Sequence, residues 1–138
     1  MIPSLIIDGA PAAIEFYGAV LGTSVRMRMD SPDGRVGHAE LQLGDSVIML
    51  ADEFPDMGYL GPKSVGGMSV TLSVYVDDVD AVFGRALAAG AMEVRAVDNQ
   101  FYGDRSGQFE DPFGHRWNVA THIEDVPDDE MMRRARRR

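Results

Sequence analysis

Two glutamates are the residues of this sequence best placed for proton transfer. Glu40 and Glu110 lie 70 positions apart in segments of matching pattern, so pseudo-symmetry could bring their carboxylates together as an acid and base pair. His38 and Gln42 share the face of Glu40 if the segment is a strand. The more ordinary interpretation is a set of half-exposed polar residues, because a sheet with one wet face requires them.

The three histidines give only a weak case for a metal site. Coordination would require His38, His115 and His122 to converge, whereas the pattern places His115 in a hairpin turn and His122 beyond a last strand. Hydrogen bonding within the hairpin and surface exposure are the simpler interpretation. We therefore predict no catalytic residue and no metal ligand among them.

Composition places the chain among cytoplasmic globular proteins. It has 138 residues and no cysteine, which excludes disulfides, thiolate nucleophiles and sulfur-ligated zinc. No apolar segment approaches the ~20 residues that span a bilayer, and residues 1–5 lack a basic region before an apolar run. We expect no membrane partner and no secretion.

The charge of the chain argues against nucleic acid as a partner. The formal net charge is −9, and residues 128–138 alone hold five arginines against three acidic residues. The remainder therefore carries about −11 (8 basic against 19 acidic residues), which repels phosphate backbones. The arginines follow acidic residues at the start of a predicted C-terminal helix within residues 123–138, an order that suits the helix dipole.

An internal repeat is the strongest organisational signal. Residues 107–120 match residues 37–50, with glycine, glutamate and glycine in register. Each copy predicts a β-hairpin that turns at Gly44 or Gly114, where glycine tolerates a positive φ. The chain is therefore expected to contain two similar modules.

Each predicted hairpin is preceded by a strand, a helix and a second strand. Apolar residues at three- and four-residue spacing predict a helix over 10–21, with Asp8 as its cap, and a second helix from Asp77 to Gly90. Both modules thus read β-α-β-β-β. The expected domain covers residues 1–122, with module 1 at 1–50, a linker or lid at 51–67, module 2 at 68–122, strands at 24–30, 69–76 and 93–97, and a turn at 99–106.

These modules carry short motifs of a known family. The motifs are Ile7-Asp8 leading to Glu15-Phe16-Tyr17 and Leu21-Gly22, Val76-Asp77-Asp78 leading to Gly90, and Asp111-Pro112-Phe113-Gly114-His115-Arg116-Trp117. Over residues 2–122 the chain resembles the vicinal oxygen chelate superfamily, which includes glyoxalase I, bleomycin-resistance proteins, fosfomycin-resistance enzymes and extradiol dioxygenases. The segment 101–107 is similar to a metal-free, PhnB-like glyoxalase subgroup. The resemblance implies an α+β fold whose two tandem βαβββ modules form a curved mixed sheet around a cavity, in a module-swapped homodimer.

The resemblance also locates the positions where metal-dependent relatives hold their ion. Those relatives place His, Gln or Glu on the first and last strands of each module, which correspond here to Ile2, Ile48, Thr71 and Asn118. An isoleucine cannot ligate an ion, and a threonine hydroxyl or asparagine amide is a weak neutral ligand. We therefore predict a protein without metal or cofactor, in which the Lewis-acid step of the enzymes has no agent.

The function predicted from these features is binding of a small molecule. An apolar cavity with scattered polar groups suits a bulky aromatic or peptide-like ligand, as in antibiotic self-resistance by sequestration. A quinoxaline- or thiocoraline-like peptide is one such ligand. Trp117 is expected in the core under a helix, whereas Phe101 and Tyr102 could stack on a planar group. By inward parity on the strands, the predicted ligand-binding residues are Ile2, Ser4, Met29, Glu40, Ile48, Thr71, Ser73, Tyr75, Phe101, Tyr102, Arg116 and Asn118.

Two other functions remain open at this stage. One is a lyase or isomerase that uses Glu40, Glu110 or a metal recruited at His38. The other is an interaction module with a filled cavity. Arg26, Arg28 and Arg116 could steer an anionic substrate, although a surface salt bridge is the simpler role for each of them.

Overall fold

The computed structural model describes residues 1–137, which divide into two compact units. Unit 1 contains residues 1–69 and 112–115, and unit 2 contains residues 70–111 and the chain from Arg116 onward. Each unit is built on one four-stranded mixed sheet. The predicted α+β class, with two tandem βαβββ modules, is confirmed.

Unit 1 follows the predicted order of strand, helix and three strands. Its sheet has the order β1-β4-β3-β2, in which β1 and β4 are parallel and the other pairs are antiparallel. The segment after β4, predicted as a linker or lid, contains a 3-10 turn at Pro55–Met57 and one short helix. The elements are β1 (Ser4–Ile7), α1 (Ala10–Leu21), β2 (Ser24–Asp30), β3 (Val36–Leu43), β4 (Ser46–Asp52) and α2 (Pro62–Val65).

Unit 2 repeats this order and adds a C-terminal helix. Its sheet has the order β5-β8-β7-β6, again with one parallel pair, β5 and β8. The predicted turn at 99–106 is shorter in the structure, because strands occupy both ends of that range. The elements are β5 (Thr71–Tyr75), α3 (Val79–Ala88), β6 (Met92–Asn99), β7 (Asp104–Glu110), β8 (Arg116–His122) and α4 (Asp128–Arg136).

The core of unit 1 lies on one face of its sheet. Leu41, Ile48 and Leu50 are almost completely buried there, and α1 buries Ile14 and Tyr17. Helix α1 contacts β1, β3 and β4, so its apolar stripe covers this face. On the opposite face, Met27 and Met29 are about half exposed.

The core of unit 2 is built around the single tryptophan. Trp117 is 1% exposed and lies directly opposite the fully buried Phe109 on β7. The Phe109 ring packs edge-on against Phe83 of α3, with 6.1 Å between centroids. The indole nitrogen donates to Asp111 Oδ2 at 2.9 Å, which satisfies its one donor. The prediction that Trp117 is a core residue is confirmed.

The two hairpins do not match over their whole length. Glu40 pairs with Met49 in the first hairpin, whereas Glu110 pairs with Arg116 in the second. The incoming strands therefore correspond at an offset of 70 residues and the returning strands at an offset of 67 residues. Between these equivalent pairs the second hairpin has three residues fewer, although its turn, residues 111–115, is longer than the first turn, residues 44–45. Gly44 and Gly114, predicted as equivalent turn positions, occupy different places in their hairpins.

No helix among residues 1–137 has the length and the apolar character needed to cross a membrane.

Candidate functional site

The face of the unit 1 sheet opposite α1 carries a row of side chains across all four strands. Met27 of β2 pairs with Glu40 of β3, Glu40 with Met49 of β4, and Met49 with Ser4 of β1. Directly opposite residues in neighbouring strands share a face. We call this surface the methionine face, which consists of Ser4, Ile6, Met27, Met29, His38, Glu40, Gln42 and Met49.

The methionine face combines soft apolar surface with one carboxylate. Met27 and Met29 are 44% and 56% exposed. Met29 lies opposite His38, whose Nε2 is 3.0 Å from Glu40 Oε2, and Arg26 Nε is 3.5 Å from Glu40 Oε1. Flexible thioethers adapt to ligands of different shape. The carboxylate of Glu40 already has two cationic or polar partners.

Ile48 is a correction to the predicted set. It pairs with Leu41 and is 4% exposed, so its side chain lies in the core between the sheet and α1. Glu40 pairs with Met49, and because side chains alternate along a strand, Met49 rather than Ile48 shares the face of Glu40. Ile48 is therefore removed from the candidate site.

The corresponding face of unit 2 is richer in hydrogen-bonding groups. Ser73 of β5 pairs with Asn118 of β8, Asn118 pairs with Gln108 of β7, and Gln108 pairs with Arg95 of β6. This row again crosses the whole sheet. We call the surface the polar face, which consists of Thr71, Ser73, Tyr75, Arg95, Ser106, Gln108, Glu110, Arg116 and Asn118.

Arg95 is the centre of the hydrogen bonds on the polar face. Its Nη2 donates to Ser106 Oγ at 2.8 Å and to Asn118 Oδ1 at 3.2 Å, and Gln108 Nε2 donates to the same Asn118 oxygen at 3.5 Å. The Arg95 Nε is buried and has no hydrogen-bond partner among residues 1–137. The sequence analysis missed Arg95. The available signal was one arginine within the predicted strand at 93–97, flanked by Val94 and Ala96.

A second polar group lies at one end of the polar face. The Tyr75 hydroxyl donates to Asp104 Oδ2 at 2.7 Å, and His122 Nδ1 lies 3.0 Å from Asp104 Oδ1. The hydrogen bond to Asp104 is the main cause that raises the pKa of Tyr75, and the nearby Tyr102 adds a small contribution. The Tyr75 phenol therefore stays protonated and remains a donor at neutral pH.

The carboxylates around His122 favour the charged form of its imidazole. Hydrogen bonds to Asp125, at 2.7 Å, and to Asp104 raise the pKa of His122 above its ordinary value of 6.5. His115, in contrast, is 3% exposed and its Nε2 lies 3.0 Å from the carbonyl oxygen of Ile6. The predicted surface exposure of His115 is therefore wrong.

The remaining predicted residues lie at the margins. Ile2 precedes β1 and is 46% exposed. Phe101 and Tyr102 are half-buried between β6 and β7, and their rings meet edge-on with 5.2 Å between centroids. Arg134 of α4 donates to the carbonyl oxygen of Phe101 at 3.1 Å. Of the predicted set, Ser4, Met29 and Glu40 belong to the methionine face, and Thr71, Ser73, Tyr75, Arg116 and Asn118 belong to the polar face.

The family model that matches this chain covers residues 3–119 and describes the glyoxalase/bleomycin resistance protein/dioxygenase superfamily. The chain belongs to this superfamily. This confirms the family predicted from the repeated motifs.

Relatives of the chain include proteins of known sequence and of known structure. An uncharacterized protein of Mycobacterium bovis is 41% identical over 132 residues, which cover 94% of this chain and 87% of that protein. The structure of protein PA1353 from Pseudomonas aeruginosa superposes with a TM-score of 0.74 at 25% identity, covering 90% of this chain and 98% of its own. TioX from Micromonospora sp. ML1 has a TM-score of 0.69 at 24% identity, covering 92% and 98%.

The residues of this superfamily member do not fit a catalytic divalent cation. The sheet registers relate Thr71 and Arg116 of unit 2 to Ser4 and Met49 of unit 1, and Asn118 to Ala51. No imidazole or carboxylate occupies any of these positions. Among residues 1–137, no group of three or more histidine and acidic side chains could hold a metal ion. Three strong donors are the usual minimum for a catalytic zinc site.

Proposed function

We propose that this chain is a metal-independent binding protein that sequesters a bulky aromatic or peptide-like small molecule, such as an antibiotic, in self-resistance. The observation that carries the proposal is the chemistry of the two faces. Each presents a row of side chains from four strands, and these side chains suit shape recognition and hydrogen bonding rather than ion coordination.

The methionine face supports the apolar part of such recognition. Met27 and Met29 each leave about half of their side-chain surface open to a ligand. Thioethers make favourable contacts with aromatic rings, each contributing about 0.3–1.5 kcal/mol. In unit 2, Tyr102 and Phe101 offer a separate stacking surface for a planar group, for which a quinoxaline chromophore is a suitable example.

A thermal-shift titration in EDTA tests the proposal. We expect aromatic peptide antibiotics of the quinoxaline class to raise the melting temperature in a concentration-dependent way, because a ligand that binds only the folded state stabilises it. Elemental analysis of the same untagged preparation is the control for retained metal. Stabilisation that requires an added divalent cation, or no stabilisation by any aromatic ligand, would contradict the proposal.

The proposal includes a homodimer in the cytoplasm. Exposed Met27, Met29 and Tyr75 support it, because large partly apolar surfaces are typical of association sites. Light scattering behind size exclusion should give about twice the mass of one chain, which is 15.1 kDa. A monomer at micromolar concentration would remove the dimer from the proposal without affecting ligand binding.

A lyase or isomerase is the second candidate function. It is favoured by the 3.0 Å approach of His38 Nε2 to Glu40 Oε2, because a carboxylate that orients an imidazole is a common arrangement for proton transfer. Glu110 of unit 2, which pairs with Arg116, is the alternative carboxylate for such a role.

The variant Glu40→Gln separates the two functions. In a binding protein it keeps the shape of the methionine face, so affinity for aromatic ligands should change by less than about threefold. In an enzyme that uses the carboxylate as base, turnover should fall by roughly a hundredfold or more while binding persists. His38→Gln removes the imidazole and leaves the carboxylate, so turnover of such an enzyme should fall in this variant as well.

A further inference from the structure

Arg95 is an exception among the arginines of residues 1–137. Three of them are half-buried, namely Arg95, Arg105 and Arg134. Arg105 pairs with Asp80 at 2.8 Å and Arg134 pairs with Glu124 at 2.9 Å. Arg95 makes no ion pair with any described carboxylate, and its two hydrogen bonds go to the neutral oxygens of Ser106 and Asn118.

An uncompensated guanidinium in this position is costly. Removing a charge from water is unfavourable unless a partner of opposite charge or full hydrogen bonding replaces the lost hydration. Arginine carries five N–H donors, of which the two that bond here are both on Nη2, and the Nε is buried without a partner. The chain has an excess of acidic residues, with a net charge of −9, yet none of those described neutralises this group. Side chains that carry such a cost are frequent at binding sites.

The neighbours of Arg95 hold the guanidinium in a fixed orientation. Ser106 and Asn118 accept from the same nitrogen, and Gln108 donates to the Asn118 oxygen, so that oxygen receives two hydrogen bonds. A guanidinium anchored by Nη2 keeps the donors of Nη1 for another acceptor. Planar anions such as carboxylates are the partners that arginine binds best.

We propose that Arg95 is the anchor for a carboxylate of the bound small molecule, so that the ligand of the polar face is an aromatic acid or a peptide with a free carboxylate. This inference rests on the proposed function, since it assumes that the polar face contacts a ligand. It makes the recognition charge-selective. An uncharged analogue of the same shape would leave the guanidinium unpaired after excluding water from it.

A matched pair of probes tests the anchor. Quinoxaline-2-carboxylate and quinoxaline-2-carboxamide have nearly the same shape and differ in charge. Isothermal titration calorimetry should show that the wild-type protein binds the carboxylate roughly tenfold or more tightly than the amide, which corresponds to about 1.4 kcal/mol. In Arg95→Gln the ratio of the two affinities should fall to near one, and in Arg95→Lys, which keeps the charge, it should be intermediate.

The control variant is Arg105→Gln, which removes one positive charge from the same unit at a residue already paired with Asp80. It should keep the wild-type preference for the carboxylate. If Arg95 has only a structural role, its variants should have a lower melting temperature and an unchanged ratio of the two affinities. That result would overturn the proposal that Arg95 anchors a carboxylate. Binding of aromatic antibiotics without any preference for the carboxylate probe would also overturn it and leave the proposed function intact. If neither the probes nor the antibiotics bind, both proposals fail.

Discussion

The carboxylate of Asp52 caps the helix that begins at Ala10. Its Oδ1 accepts from the backbone nitrogen of Ala10 at 2.8 Å and from that of Gly9 at 3.1 Å, while its Oδ2 accepts from Val36 at 2.7 Å. Asp8, the cap expected from the sequence, makes no such bond. One buried side chain at the end of β4 therefore fixes the start of α1 and the start of β3.

The first prediction concerns this cap. Asp52→Ala leaves three backbone donors without their acceptor, so the free energy of unfolding should fall by about 3 kcal/mol. Asp52→Asn keeps one oxygen and should cost about half as much. Both values can be measured by urea denaturation. Asp8→Ala is the control and should change stability by less than about 0.5 kcal/mol; an equal loss in Asp8→Ala would show that the proximal residue does the capping in solution.

The sequence predicted which residues alternate on each strand better than it predicted how strands align. Trp117 was assigned to the core by its parity relative to Asn118, and this succeeded because a single strand fixes alternation. Ile48 was assigned to the face of Glu40, and this failed because the answer depends on the hairpin register. A change of one residue in register exchanges the two faces of a strand.

Residues without a pattern of their own were also missed. Arg95 became a candidate because the fold brings it to Ser106 and Asn118, which lie 11 and 23 positions away along the chain. Asp52 reaches Ala10 over 42 positions. Such contacts are set by tertiary packing, whereas the order of the elements follows from local periodicity and was predicted correctly.

The second prediction concerns the chain that follows β8. Gly103 has a φ of +100°, and a Cβ there would overlap the carbonyl oxygen of Glu124. The carbonyl oxygen of Gly103 accepts from Ile123 at 2.9 Å and from Glu124 at 3.0 Å. Gly103→Ala should therefore displace this segment and accelerate hydrogen exchange of the Ile123 and Glu124 amides.

A glycine with open surroundings provides the control. Gly34 has a φ of +87° and no atom near the position of a Cβ. Gly34→Ala should lower the free energy of unfolding only by the strain of a left-handed residue, about 1–2 kcal/mol. Gly103→Ala should cost roughly 2 kcal/mol more in urea denaturation. If Gly103→Ala and Gly34→Ala lowered the free energy of unfolding equally, the segment after β8 would be able to move aside freely.

The third prediction concerns pH. Asp125 and Asp104 raise the pKa of His122 in the folded state, so protonation of His122 favours folding. This contribution is complete below the ordinary pKa of 6.5 and is lost as the pH rises through the higher folded value. The melting temperature of the wild type relative to His122→Gln should therefore be higher at pH 6 than at pH 9.

An NMR titration of the His122 ring protons checks the cause directly. The midpoint should lie above 6.5 and should move down in Asp125→Asn, because Asp125 makes the larger contribution. Asp128→Asn is the control, since Asp128 is an exposed acid a few residues further along the chain. A midpoint that does not respond to Asp125→Asn would assign the shift to Asp104 alone.

The fourth prediction concerns a bulky substitution at the centre of the polar face. Ser73 is exposed and lies opposite Asn118 across the parallel pair of strands, so a larger side chain there projects from the face without entering the core. Ser73→Trp should weaken the binding of aromatic ligands at least tenfold by calorimetry and change the melting temperature little. Ala88→Trp, an equally large change on the exposed surface at the end of α3, should leave affinity unchanged.

The two readouts of Ser73→Trp distinguish a ligand site from a subunit interface. An unchanged affinity would mean that the ligand does not contact this face, because an indole beside Asn118 necessarily occupies the space over the β5 and β8 row. A normal affinity combined with loss of the dimer would assign the polar face to association between subunits. Loss of affinity in a protein that keeps its mass and its melting temperature is the result that the proposed function requires.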